Sequence, residues 1–145
     1  FNLKVDYPSF TEEVQIVKNT TSANEQTINE VLSAGEILKI QDLIRKIPVA
    51  DNVVEYAVTL VAKTRPESDL ASDQVKKYLS WGAGPRASQF LVLAAKANAA
   101  INGKYSPDIE DVKTVALPIL RHRIVRNYKA EAEGMSIEKL VDSLL

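Results

Sequence analysis

The stretch Gly82-Ala83-Gly84-Pro85-Arg86-Ala87-Ser88 turns the chain into its longest uninterrupted apolar segment. From Pro85 to Ala100 there is no Gly and no further Pro, and Ala87, Phe90, Leu91, Ala94, Ala97 and Ile101 recur at helical spacing. The spacing predicts a helix over 85–102. Pro is favoured at the first helical position, so Gly84-Pro85 reads as cap plus N1 and Gly103 as the stop. Arg86 then falls at N2, where the helix dipole disfavours a cation. A guanidinium beside unpaired N–H donors makes sense if an anion belongs there, because helix N-termini are ready phosphate sites. The same spacing also fits a solvated surface arginine, and both readings stand at this point.

The rest of the chain reads as further short helices. Ser33-Ala34-Gly35-Glu36 is a capping box that opens a helix over 33–47, with Ile37, Ile40, Leu43, Ile44 and Ile47 inward and Pro48 as terminator. A helix over 50–64 carries the stripe Val53, Val54, Ala57, Val58 and Val61 and stops at Arg65-Pro66. Asp73 to Trp81 fits one or two helical turns with Val75, Tyr78 and Leu79 inward. Ser106-Pro107 reads as cap plus N1 of a helix over 108–117 that ends near Leu117-Pro118, and Ser136 caps a last helix over 137–144. The expected core is Ile40, Leu43, Val54, Val58, Leu91 and Ala94.

Two segments at the N-terminus complete the pattern. Phe1 to Tyr7 alternates apolar and polar residues up to Pro8, a strand pattern with no partner strand in the chain. Such a strand either packs as an extended arm or belongs to a sheet outside the chain. With no Met at position 1, the chain reads as a piece of a longer protein. Ser9-Phe10-Thr11-Glu12 is another capping box, opening a helix over 10–18, and the polar residues 19–24 read as a loop.

Composition narrows the function classes. The 145 residues suit one domain or two small ones, and 46% hydrophobic residues suffice for a core. Eighteen Lys plus Arg against nineteen Asp plus Glu lack the basic excess of a dedicated nucleic-acid binder. A winged-helix reading built on Arg121 to Arg126 is disfavoured for that reason. Without cysteine there is no disulfide, thiol nucleophile or thiolate metal site, and His122 is the sole histidine. No apolar run approaches the roughly 18 residues of a membrane span, and no signal peptide is visible, so a cytoplasmic location is expected.

No self-contained active site stands out. There is no Gly-rich loop ending in GK[ST], and a catalytic triad is disfavoured when the only histidine lies in a basic run. That run, Arg121, His122, Arg123 and Arg126, reads either as an anion or partner contact or as a patch that complements a helix C-terminus. Trp81, beside the glycine turn, reads as a core or hinge anchor rather than a stacking platform for a ligand.

The Gly82–Ser88 block, followed by Ala94-Ala95-Lys96-Ala97, Asn102-Gly103, Glu110-Asp111-Val112 and Leu120-Arg121-His122-Arg123-Ile124, resembles the C-terminal lid of MoxR-type AAA+ ATPases. The family usually shows G-A-S-P-R-A, a G-R-x-Y segment, an E-D-V helix and an H-R-I/L end. Leu3-Lys4-Val5-Asp6-Tyr7-Pro8 with Glu12-Glu13 is similar to the last core strand and the entry to the lid, and residues 126–134 fit a subset of the family. The resemblance covers the whole chain. Gly84 stands where the family has Ser, a loss of side-chain capping that costs a few tenths of a kcal/mol. Tyr105 and Pro107 fall slightly out of the family's register.

The resemblance implies an all-α fold: residues 1–8 as the last strand of an ATPase core and its hinge, residues 9–145 as a helical lid. It implies that Arg86 is the sensor-2 arginine, reaching the γ-phosphate of ATP, with Pro85 beside it at the nucleotide. ATP and magnesium would be bound mainly by a core domain that this chain lacks, so these residues alone are expected to be inactive. The parent would be an ATP hydrolase, a ring-forming, chaperone-like remodelling or maturation factor. Its expected partners are its own core, neighbouring subunits and von Willebrand A-domain proteins. The competing reading is a free-standing helical interaction module that binds a protein and no nucleotide.

Overall fold

A computed structural model describes residues 1–23 and 29–145. Its elements run α1 (Phe10–Thr21), α2 (Ala34–Lys46), α3 (Asp51–Lys63), α4 (Asp73–Tyr78), β1 (Leu79–Trp81), α5 (Pro85–Ile101), α6 (Ile109–Leu120), β2 (Val125–Arg126), α7 (Tyr128–Ala132) and α8 (Ile137–Asp142). The fold is all-α, with one two-stranded antiparallel ribbon, β1 against β2.

α5 is the central strut. Gly84 is its N-cap and Pro85 its first residue, and the helix yields at Asn102 to Gly103, whose φ of 72° only glycine adopts readily. Its buried face is Ala87, Leu91, Ala94, Ala95 and Ala99. Four alanines in five positions let neighbouring backbones come close, and α5 packs most extensively on α6, then on α3 and α2. Leu60 and Val61 of α3, Val112, Ile119 and Leu120 of α6, and Leu140 and Val141 of α8 close the core around them. Val75, Tyr78 and Leu79 point inward as their spacing predicts.

Other expectations are corrected. Leu91 and Ala94 are buried, but Val54 is half-buried, and Ile40, Leu43 and Val58 are 44%, 61% and 51% exposed. α1 and α2 bury no residue at all, although both carry apolar stripes and both capping boxes form. A stripe records which face is apolar, not that its partner lies within these residues. Among the described residues no strand pairs with residues 1–9, and the arm's backbone bond to the helical body runs from the Asn2 N–H to the Pro118 carbonyl at 2.9 Å. The polar loop over 19–24 begins later than expected, because α1 continues to Thr21, and Asn24 lies outside the described residues.

The α5–α6 turn is capped by Asp108, not Ser106. The Asp108 carboxylate accepts from the Asp111 N–H at 3.1 Å, and the Asp111 carboxylate accepts from the Asp108 N–H at 2.9 Å. Asp111 is only 2% exposed and is satisfied further by Asn98 Nδ2 at 2.8 Å and the Lys104 ammonium at 3.1 Å. A buried carboxylate is tolerated when each oxygen has donors in this way. α6 also runs through Pro118 to Leu120 instead of ending there. Its last carbonyls all find donors: Leu117 takes the Arg121 N–H, Pro118 the Asn2 N–H, Ile119 the Arg123 guanidinium, and Leu120 the Arg123 and Ile124 N–H groups.

The ribbon is pinned from outside by α7, which sequence periodicity does not reveal. Asn127 caps α7 and also ties α4, its N–H donating to the Tyr78 carbonyl at 2.9 Å and its amide to the Lys77 carbonyl at 2.8 Å. The Lys77 ammonium and the Tyr78 hydroxyl both donate to Glu133, at 2.8 and 2.6 Å. Those two bonds, Lys77 first, hold the Glu133 carboxyl below its ordinary 4.5. Between the folded and the unfolded value the unfolded chain binds more protons. The stabilisation is therefore complete above about pH 4.5 and is lost as pH falls through the depressed value. Glu133→Gln should melt below wild type at pH 7, with the gap closing as pH drops under 4.5. A gap that stays constant with pH contradicts the pairing.

Candidate functional site

The site is built on the turn between β1 and α5. Three contacts lock Gly82-Ala83-Gly84 against the C-terminus of α3. Thr64, fully buried, donates its hydroxyl to the Val61 carbonyl at 2.6 Å and accepts the Ala83 N–H at 2.9 Å. Arg65 Nε donates to the Ala83 carbonyl at 3.0 Å. Gly82 lies so close to α3 that a Cβ there would stand 2.5 Å from both Arg65 Cα and the Thr64 carbonyl oxygen. Ala83 is thus held on both sides of its Cα, and Gly82 is a glycine because the backbones touch.

This turn delivers Pro85 to N1 and Arg86 to N2 of α5. Gly84 supplies no side-chain cap, and the first turn holds no acidic residue. Arg86 is exposed and makes no hydrogen bond or ion pair among the described residues. A fork of five donors therefore stands beside a helix start that has no side-chain cap and no acidic residue in its first turn, an arrangement suited to a phosphate oxygen. Among the described residues no group of three His, Cys, Asp or Glu side chains could hold a metal. On the same α5 face, Phe90 and Leu93 line an apolar groove of about 610 Å³ with Val54, Val58 and Arg45.

The basic run after α6 has a structural role. The Arg123 guanidinium caps the Ile119 carbonyl and lies 5.2 Å from the centre of the Phe90 ring. Arg126 donates to the Met135 carbonyl at 2.8 Å, and Arg121 Nε lies 3.4 Å from a Glu138 carboxylate oxygen. Desolvation, then the charge of Arg123, pushes the His122 imidazole below its ordinary 6.5. Arg123 alone of this run meets a carbonyl at the end of α6, whereas Arg121 and Arg126 reach Glu138 of α8 and Met135 just before it. Trp81 is 69% exposed on β1, opposite Val125, and is not a core anchor. Sequence reasoning missed Thr64 and Arg65, which act across 18 and 19 residues and carry no local signature.

Comparison with known proteins bears on the domain and its fold. The AAA lid domain family matches residues 71–144, just over half the chain. The whole chain is 33% identical to the chaperone MoxR1 of Mycobacterium tuberculosis over 145 residues, 38% of that protein's length. It is 26% identical to the uncharacterized protein YeaC of Bacillus subtilis, covering 43% of that protein. A crystal structure of a protein assigned as an ATPase, from Cytophaga hutchinsonii, superposes on 97% of this chain with a TM-score of 0.84 at 30% identity, and the chain covers 43% of it. The chain thus spans about two-fifths of the length of the relatives it matches. It belongs to the AAA lid domain family.

Proposed function

We propose that this lid senses nucleotide for a MoxR-type ATPase, with Arg86 as the sensor-2 arginine. The observation that carries the reading is the position of Arg86: exposed, unpaired among the described residues, at N2 of a helix whose first turn offers no acid and no side-chain cap. Its guanidinium reaches the γ-phosphate of ATP held by a core domain, with Pro85 setting the approach. There it stabilises charge on the transferring phosphoryl group. Arg86 loses its partner when that group leaves, and the lid is then free to rotate, so a local contact becomes domain motion.

The exposed apolar faces support the same reading. Ile40, Leu43 and Val58 are patterned for burial yet uncovered here. In the full-length protein a core domain covers part of this surface, and residues 1–8 continue its last strand through a hinge. The parent is an ATP hydrolase that uses magnesium, works in the cytoplasm as a ring of like subunits, and remodels client complexes with von Willebrand A-domain proteins.

The division of labour has a direct test. Residues 1–145 lack a GK[ST] phosphate cradle, so calorimetry of this chain with ATP and magnesium should show no hydrolysis and at most weak binding. The full-length protein should bind ATP and turn it over. A micromolar or tighter dissociation constant for residues 1–145 alone would mean that they contain a complete site.

A further inference from the structure

The turn that carries Arg86 has a weak joint and a brace. Gly84 is the weak joint: its φ is −85° and ψ 177°, nothing lies within 4 Å of where its Cβ would be, and no side chain restrains it. Glycine itself imposes little backbone preference there, so the torsions of the turn are set by what holds its two sides. The brace is one residue earlier. Ala83 has its N–H on the Thr64 hydroxyl at 2.9 Å and its carbonyl on Arg65 Nε at 3.0 Å. Both partners come from the C-terminus of α3, and the Thr64 hydroxyl is itself oriented by the Val61 carbonyl at 2.6 Å. Downstream, Ala87 and Leu91 are fully buried, which fixes α5 along its length. The torsions between Ala83 and Arg86 are then those of Gly84 and of Pro85, whose φ is locked by its ring.

We infer that Thr64 and Arg65 are positioning residues for Arg86: they fix the Ala83 peptide planes so that the guanidinium is presented in one direction, and they couple its placement to α3. This rests on the nucleotide-sensing reading of Arg86. Neither residue needs to touch nucleotide. A misplacement of about 1 Å at a contact that stabilises a transferring group can cost up to about a hundredfold in rate, so the brace matters even though it is remote from the chemistry.

The test is a double-mutant cycle on ATP turnover by the full-length protein, with melting temperature measured alongside. Arg65→Ala should lower turnover by about tenfold in the wild-type background and by less than about twofold in an Arg86→Ala background, because there is no longer a guanidinium to aim. Equal losses in the two backgrounds, or no loss in the first, overturn the inference. A residue that merely supports the fold, or one that meets the nucleotide by itself, gives those additive losses. If Arg65→Ala does not assemble, Thr64→Val and Thr64→Ser carry the same cycle. Val removes the acceptor and should behave as Arg65→Ala does, whereas Ser keeps it and should restore turnover; Ser and Val being alike contradicts the brace. If Arg86→Ala itself turns over ATP at the wild-type rate, the sensor reading falls and this inference with it. If only the cycle is additive, the sensor reading survives and the brace alone is lost.

Discussion

Gly82→Ala should lower the melting temperature of this chain by roughly 10 °C, through a destabilisation of about 3–5 kcal/mol. The added methyl would stand 2.5 Å from Arg65 Cα and the Thr64 carbonyl oxygen and 2.7 Å from the Arg65 nitrogen. All three are backbone atoms, which cannot swing aside as a side-chain end can. Forcing α3 and the turn apart also stretches the two bonds on Ala83, and one of them leaves a buried N–H without a partner. Against a typical domain stability of about 5–15 kcal/mol this is a large share. Gly84→Ala is the matched control. Nothing lies within 4 Å of a Cβ there and the φ of −85° suits any residue, so only the poorer capping of Ala is lost, about 0.5 kcal/mol. Urea or thermal melts of the two variants decide the point, and similar midpoints would show that the turn is not in contact with α3.

Arg86→Ala should behave in the opposite way, leaving the fold alone and removing activity from the full-length protein. The side chain is exposed and makes no hydrogen bond or ion pair among the described residues, so its loss should change stability by no more than about 0.5 kcal/mol. Turnover should fall by about a hundredfold to a thousandfold, the roughly 2.7–4 kcal/mol by which a single pre-placed electrostatic contact to a developing charge typically acts. Arg86→Lys should recover only part of this, because a point charge does not reproduce a planar fork of donors. Measuring turnover and melting temperature on the same preparations separates the two roles. A large fall in melting temperature without nucleotide would mean that Arg86 holds the lid together instead.

The features legible in the sequence were those with a local physical cause. Gly84-Pro85 and Gly103 mark α5 to within a residue, because a proline at N1 and a glycine in the left-handed region act at the position they occupy. Ser9 with Glu12 and Ser33 with Glu36 form the capping boxes that their spacing predicts. What was hidden depends on the distant chain or on very short elements. α7 has five residues and β1 three, too few to display a period. Asp108 displaced Ser106 as the cap because Asp111 reciprocates, a choice settled by the buried pairing with Asn98 and Lys104. α6 runs two residues past Pro118, and its last carbonyls take donors from Asn2 and from the residues that follow. Ile40, Leu43 and Val58 show the reverse case: a correct apolar pattern whose cover is not among the described residues. At the site, the placement of Arg86 could be read in advance, whereas the brace on Ala83 could not, since it joins residues 18 and 19 apart.

The most direct test of the central claim is a structure of the full-length protein with a non-hydrolysable ATP analogue and magnesium. A terminal nitrogen of Arg86 should lie about 2.7–2.9 Å from a γ-phosphate oxygen, as a charge-assisted hydrogen bond requires. The Ala83 bonds to Thr64 and Arg65 should remain as they are here, at 2.9 and 3.0 Å. A bound γ-phosphate surrounded by other donors, with Arg86 pointing into solvent, would contradict that claim.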